Sequence, residues 1–234
     1  VDRDFLKKCV LSEMMKPFYN FQVFPNLKKL CIRQGDFYFP LGSFVLDGFA
    51  ALKNLESLTI SIEKRSRGPH YIFRGLLQLP LLKKFSLKIS FLKNQDWSAL
   101  MLFLKSQKNL HTLKLNIPCG LSLRSCFLEQ HNLLENITRD LDNKHFLKSL
   151  QLSFPAWSLK SLSKGLSHLS MKNQLESFVI EASDETIISE QKNWKRAEGL
   201  CTFIKNQQNS LKDLEIHIPL ALEDTIMTPL AEAI

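Results

Sequence analysis

The sequence predicts an α/β solenoid, in which strands lie side by side in one parallel sheet and helices pack outside it. A six-residue phrase with leucine or another apolar residue at its first, fourth and sixth positions occurs seven times in the 234 residues. Successive copies begin 28, 27, 28, 37, 28 and 36 residues apart, a spacing that is typical of repeat architectures. Between the copies the apolar period changes from two to about 3.6, which indicates a strand and a helix in each repeat.

The seven phrases are the predicted strands. They begin at Leu27, Leu55, Leu82, Leu110, Leu147, Leu175 and Leu211. In every copy except the first, one more apolar residue follows two positions after the phrase. The strands should therefore be about five residues long, with Leu58, Ile60 and Ile62, for example, on one face.

Apolar stripes between the phrases predict the helices. They consist of Phe49 and Leu52; Leu76 and Leu79; Leu100, Phe103 and Leu104; Leu134, Ile137 and Leu141; Leu159, Leu162, Leu166 and Leu169; and Leu200, Phe203 and Ile204. Asp96 and Ser158 precede such runs and are predicted as helix N-caps. One strand and one helix cannot enclose a core, but stacked copies can.

The pattern Leu-x-x-Leu-x-Leu in units of 28 residues resembles that of leucine-rich repeat proteins, nearest the ribonuclease-inhibitor-like subclass. The resemblance covers residues 24–219. It implies a curved solenoid with the parallel sheet on the concave side and the helices on the convex side. One departure is that the family's asparagine or cysteine after the strand is absent, and three copies have proline there: Pro118, Pro155 and Pro219. The polar backbone groups of these turns must find other partners.

Residues 1–234 are predicted to form a single domain of about seven repeats. Residues 1–23 have the pattern of an N-terminal helix or of a preceding repeat, and residues 223–234 that of the start of a further repeat. We therefore expect the chain to be an excerpt of a longer one, since stacked repeats need polar caps. Two repeats have extra residues, around 119–132 and 183–193, which are either binding loops on one rim or tolerated insertions.

The charge is divided unevenly along the chain. Residues 1–117 contain 19 Lys or Arg against 8 Asp or Glu, whereas residues 118–234 contain 12 against 15. A basic half attracts nucleic acid, anionic membranes or acidic protein surfaces, although it also simply favours solubility. Five cysteines without disulfide or metal spacing favour an intracellular, reducing compartment. No apolar run has the length of a transmembrane segment.

The alternate positions of the strands are predicted to form the open concave face. These positions are Lys29, Cys31, Arg33; Ser57, Thr59, Ser61; Lys84, Ser86, Lys88; Thr112, Lys114, Asn116; Ser149, Gln151, Ser153; Ser177, Val179, Glu181; and Asp213, Glu215, His217. The first four strands together bring five cations and no carboxylate to this face, and the last two bring three carboxylates and no Lys or Arg. Because extended concave surfaces of repeat proteins bind partners, we predict partner-binding residues at Lys29, Arg33, Lys84, Lys88, Lys114, Glu181, Asp213 and Glu215.

The sequence favours a non-catalytic scaffold for protein–protein interaction, a subunit or domain of a larger assembly whose partner has an acidic surface. No histidine pairing for a metal, nucleophile elbow or cofactor-binding glycine loop occurs. His111 and Cys31 should lie about 14 Å apart, three strands from each other, so they cannot form a dyad. The alternative is an RNA- or polyanion-binding module in the basic N-terminal half, with a loop of Lys64, Arg65 and Arg67 that either binds phosphates or is solvated.

Overall fold

The computed structural model describes residues 24–34, 44–62, 69–90, 92–117, 141, 144–155, 159–167, 169, 175–183, 198–217, 228 and 231. Within these ranges the chain forms seven β-strands that build one parallel sheet. The strands are β1 (Lys29–Gln34), β2 (Ser57–Ile62), β3 (Lys84–Ile89), β4 (Thr112–Asn116), β5 (Ser149–Pro155), β6 (Ser177–Ser183) and β7 (Asp213–His217). The strand order in the sheet is the order in the sequence, and the sheet is open. The predicted α/β solenoid is confirmed.

The helices of the described ranges connect successive strands. They are α1 (Phe44–Ala51), α2 (Pro69–Leu76), α3 (Asn94–Ser106), α4 (Leu159–Leu166) and α5 (Glu198–Gln207). Neighbouring helices pack against each other, α1 on α2, α2 on α3, and α4 on α5. Each strand pairs in register with the next, so that equivalent residues of successive repeats lie side by side.

The core lies between the sheet and the helices. The inward residues of β2, Leu58, Ile60 and Ile62, are at most 2% exposed, and they belong to one cluster with the buried helix residues. Phe85 of β3 meets Phe103 of α3 edge to face, with ring centroids 4.8 Å apart. The predicted inward register is therefore confirmed. In β1 and β7, the two outer strands of the described sheet, the inward residues are only half-buried.

Asp96 is the third residue of α3 and not its N-cap, so this part of the prediction is wrong. The helix begins after Lys93, whose backbone N–H donates to Asp96 Oδ2 at 2.9 Å. An acidic residue at the third helical position can reach back to the N-cap in this way. Its other oxygen accepts the backbone N–H of His70 in α2 at 3.0 Å. One buried carboxylate thus satisfies donors at the start of two helices. Ser158 lies outside the described residues.

Buried polar side chains link successive repeats at the ends of the helices. Gln107 Nε2 donates to the carbonyl oxygen of Leu76, the last residue of α2, at 3.4 Å. In the next repeat Lys144 Nζ donates to the carbonyl oxygens of Leu104 and Lys105 near the end of α3. Carbonyls at helix ends have no partner within the helix, and a cation there interacts favourably with the helix dipole.

Asparagines that precede the first leucine of the phrase form a second set of links. Asn54 Nδ2 donates to Pro25 O at 2.9 Å, and Asn109 Nδ2 donates to Pro80 O at 3.5 Å. In the turn after β3, the Ser90 N–H donates to the backbone carbonyl of Ile62 at 3.2 Å. The turn's N–H group is satisfied by backbone, as the sequence required.

Candidate functional site

The side chains that point away from the core form three rows across the sheet, which we call the exposed sheet face. The first row is Lys29, Ser57, Lys84, Thr112, Ser149, Ser177 and Asp213. The second is Cys31, Thr59, Ser86, Lys114, Gln151, Val179 and Glu215. The third is Arg33, Ser61, Lys88, Asn116, Ser153, Glu181 and His217.

The eight predicted partner-binding residues all lie on the exposed sheet face. Seven of them are exposed, and Glu181 is half-buried, with its Oε1 accepting a hydrogen bond from Gln151 Nε2 at 3.3 Å. The structure differs from the prediction at Ser153, which is only 6% exposed. Ser153 lies between Asn116 and Glu181 in its row, and both neighbours have longer side chains. It contributes little to the open surface.

Three exposed lysines form a basic cluster at the middle of the exposed sheet face. Lys84 and Lys88 lie on β3, four residues and about 13 Å apart along the strand. Lys114 on β4 pairs with Ser86, which lies midway between them. Adjacent strands are separated by about 4.8 Å, so the three ammonium groups lie within reach of one bound anionic segment.

The opposite end of the exposed sheet face is acidic. Asp213 and Glu215 on β7 are exposed, and Glu215 Oε2 lies 3.4 Å from His217 Nε2. Since the strands follow sequence order, the uneven charge along the chain becomes a gradient across the sheet, from cations on β1, β3 and β4 to carboxylates on β6 and β7.

A further row of charged residues lies along the edge of the sheet where the strands begin. This rim row consists of the second residue of each phrase, which directly precedes the strand: Lys28, Glu56, Lys83, His111, Lys148, Glu176 and Lys212. The carbonyls of the first six members each accept two backbone N–H groups of the next repeat; Lys28 O, for example, accepts those of Glu56 and Ser57, both at 2.9 Å. This pattern holds at all six steps, so the row is fixed by backbone hydrogen bonds.

The glutamates of the rim row each bridge two lysines. Glu56 Oε2 lies 2.9 Å from Lys83 Nζ, and its Oε1 lies 3.7 Å from Lys28 Nζ. Glu176 repeats the arrangement, with Lys148 Nζ at 3.1 Å and Lys212 Nζ at 2.9 Å. The hydrogen bond from Lys83 is the main cause that lowers the pKa of Glu56, and those from Lys212 and Lys148 lower the pKa of Glu176. The bond to Glu176 in turn raises the pKa of Lys212.

These lowered pKa values predict a pH-dependent contribution to stability. In the unfolded chain both glutamates titrate near the usual value of 4.5, and in the folded chain they titrate below it. Their contribution is complete above about pH 4.5 and is lost as the pH falls through the folded-state pKa. We expect the double variant Glu56→Gln and Glu176→Gln to have a slightly lower melting temperature than the wild type at pH 7, and we expect this difference to shrink as the pH falls below about 4.5.

The effect should be small, because the ion pairs are solvent-exposed. Glu198→Gln is the matched control, since Glu198 is exposed and forms no ion pair within the described ranges. A melting-temperature difference between the double variant and the wild type that persists unchanged at pH 3 would contradict the assignment.

Several predicted features lie outside the described residues. They are the loop of Lys64, Arg65 and Arg67, the N-terminal segment 1–23, and the longer connections around 119–132 and 183–193, of which only Ser183 at the end of β6 is described. Of residues 223–234 only two positions, 228 and 231, are described, both helical.

The described residues place no group of three or more His, Cys, Asp or Glu where they could hold a metal ion. Cys31 on β1 and His111 beside β4 are three strands apart in the sheet order, as the sequence predicts. The helices of the described ranges include none with the length and apolar character needed to cross a membrane.

No family model matches the chain, and no curated protein matches it significantly. The site must therefore be interpreted from its own geometry and charge.

Proposed function

We propose that the chain is a divergent leucine-rich repeat solenoid that serves as a non-catalytic scaffold for protein–protein interaction, as part of a larger intracellular assembly. The observation that carries this proposal is the exposed sheet face, where polar side chains of seven strands align in three rows, with cations on β1, β3 and β4 and carboxylates on β6 and β7. Its partner presents an acidic surface to the basic cluster of Lys84, Lys88 and Lys114. The part of the partner that faces β7 is less acidic.

Charge complementarity supports this partner class. Positive and negative patches that match across an interface direct association and exclude wrong partners. The exposed sheet face contains no aromatic residue in any of its three rows, so contacts with the partner are numerous and polar. Tight interfaces depend on buried aromatic and arginine anchors. The expected complex is therefore salt-sensitive and of moderate affinity.

Reversal of the basic cluster tests the proposal. We expect Lys84→Glu, Lys88→Glu and Lys114→Glu together to remove the native partner in affinity purification from cells, because like charges then face each other across the interface. The fold should remain, since all three side chains are exposed, and circular dichroism checks it.

The matched control reverses three lysines away from the exposed sheet face. Lys53, Lys105 and Lys205 are exposed and belong to the helices or the turns that follow them. Their reversal to glutamate changes the net charge by the same amount and should leave the partner bound. Loss of the partner in both triple variants would show that net charge alone holds it, and retention in both would move the interface off the sheet.

The second candidate function is binding of RNA or another polyanion, and the excess of cations on β1, β3 and β4 favours it. Its affinity would fall steeply with salt, because each neutralised phosphate releases counterions. A titration of single-stranded RNA at increasing salt concentrations separates the two functions. The absence of measurable binding at low salt would exclude the polyanion function.

A further inference from the structure

The rim row alternates in charge except at its centre. Along the sheet its members read Lys28, Glu56, Lys83, His111, Lys148, Glu176 and Lys212, so that two equivalent Lys-Glu-Lys triads flank His111. A carboxylate at the position of His111 would make the alternation continuous. Among the described residues none supplies a carboxylate there, and the four lysines of the row outnumber its two glutamates.

The two lysines beside His111 retain the capacity to bind an anion. Backbone hydrogen bonds place Lys83 and Lys148 one strand to either side of His111, about 10 Å apart. Their side chains are 49% and 46% exposed. Each ammonium group has three donors, and the ion pairs with Glu56 and Glu176 use one donor apiece. A carboxylate above His111 could therefore be shared by both lysines.

The ring of His111 is held in place. Its Nδ1 lies 2.7 Å from the carbonyl oxygen of Asn109, and because a carbonyl only accepts, Nδ1 carries the hydrogen. Within the described ranges Nε2 has no hydrogen-bond partner. Phe146 stacks on the imidazole, with ring centroids 6.0 Å apart and the planes inclined by 20°, and it is 54% exposed. An exposed aromatic ring therefore lies next to the cationic gap.

We propose that the gap in the rim row between Lys83 and Lys148 is a docking site for an acidic peptide segment of the partner. A partner carboxylate lies over His111 and completes the charge alternation, and an adjacent aromatic side chain packs on Phe146. Lys84 and Lys114 lie on the strands next to this gap and extend the positive surface toward the exposed sheet face. The site deepens the proposed function and rests on it, since it names the chemistry of the segment that the scaffold binds.

The phosphate backbone of RNA is the competing ligand for the same cations. The observations favour a peptide. The ring of Phe146 offers a contact for one aromatic side chain, and the gap at His111, which is one strand wide, has room for one carboxylate. Continuous single-stranded RNA binding uses a series of aromatic platforms for successive bases. The rows of the exposed sheet face contain no such series.

The test measures binding of a fluorescein-labelled peptide with a Glu-Phe-Glu core in Gly/Ser flanks to the full chain by anisotropy at low salt. The wild type should bind it and should not bind the matched Gln-Phe-Gln peptide. His111→Glu supplies the missing carboxylate internally, so we expect it to weaken binding about tenfold through like-charge repulsion. His111→Gln adds no charge and should stay close to the wild type. The melting temperature of His111→Glu should not fall, since its new carboxylate lies between two lysines.

Other outcomes overturn the site. The proposed site is contradicted if His111→Glu and the wild type bind the peptide with equal affinity. It is also contradicted if the wild type does not bind the peptide. The affinity for a 12-nucleotide RNA is measured in parallel. If His111→Glu binds this RNA more weakly than the wild type does but binds the peptide equally well, the ligand of the site is a phosphate group and not a peptide carboxylate. If His111→Glu fails to fold, Phe146→Ser is the second variant, because Phe146 is exposed. This variant must bind the peptide more weakly than the wild type does, and an unchanged affinity for the peptide overturns the site.

The proposed function is tested separately by the triple variant Lys84→Glu, Lys88→Glu and Lys114→Glu. If that variant loses the native partner in affinity purification while His111→Glu keeps the peptide, the exposed sheet face remains the interface and only the docking site is wrong. If the triple variant keeps the native partner, the interface lies off the exposed sheet face and that part of the proposed function fails, whatever the result with the peptide.

Discussion

Gly199→Ala should destabilise the chain by about 3 kcal/mol, because α5 approaches α4 too closely at this point for any side chain. A Cβ atom at residue 199 would lie 2.6 Å from the carbonyl carbon of Ser163 and still nearer its oxygen. These are backbone atoms, which cannot move aside as a flexible side chain would. The approach is also fixed by a hydrogen bond, since the Leu200 N–H donates to Ser163 Oγ at 3.1 Å.

The sign of this effect is informative, because helix propensity alone would favour alanine over glycine by about 1 kcal/mol. The free energy of unfolding from urea denaturation measures the difference. Glu198→Ala, at the exposed preceding residue of the same helix, is the control and should change that free energy little. Unchanged or increased stability of Gly199→Ala would show that α4 and α5 are not packed in this way.

Leu113→Ala should destabilise the chain by about 2–5 kcal/mol, because it truncates a side chain at the centre of the core. Leu113 is 0% exposed, and its strand β4 is the middle strand of the sheet, with Phe85 and Leu150 as its register neighbours. A cavity opened between two packed neighbours cannot easily collapse, which adds to the lost burial of the removed atoms.

The adjacent residue offers a matched control. Lys114 is on the same strand but points to the opposite face and is exposed, so Lys114→Ala should change the free energy of unfolding by no more than about 0.5 kcal/mol. Urea denaturation measures both variants. Equal effects at residues 113 and 114, or a larger one at 114, would contradict the register of the sheet.

The fold could be predicted in detail from the sequence because every strand has the same simple requirement. Alternate residues such as Leu58, Ile60 and Ile62 must be buried, and a slip by one position would expose all of them. The apolar stripes of the helices must also be buried, although they recur with a period of about 3.6, and Leu100, Phe103 and Leu104 are buried as expected. The helix start at Asp96 was misplaced because its carboxylate serves two helices, and the contact with His70 comes from a neighbouring repeat.

The candidate site could be predicted only in part. Residues Lys84, Lys88 and Lys114 follow from alternation within a strand, which the sequence displays directly. The rim row depends instead on the backbone hydrogen bonds directly before each strand, which the alternation within the strand does not reveal. Its signal, lysine and glutamate in turn before the strands, is present in the seven phrases. The ion pairs join residues up to 36 positions apart, and only the sheet register shows that these residues are neighbours.

The links made by Gln107 and Lys144 could not be foreseen from period or composition. A buried lysine among leucines is unfavourable unless it finds acceptors, and the acceptors here are carbonyls at the end of the preceding helix. The sequence position alone does not reveal them, because they belong to another repeat.

The most direct test of the central claim, that the exposed sheet face and its rim bind the partner, is lysine-reactivity footprinting of the full chain with and without its native partner. Acetylation followed by mass spectrometry reports each lysine separately. We expect the partner to protect Lys83, Lys84, Lys114 and Lys148, and to leave Lys53, Lys105 and Lys205 on the helical side as reactive as before. Protection of the helical lysines with unchanged reactivity on the sheet would contradict the account.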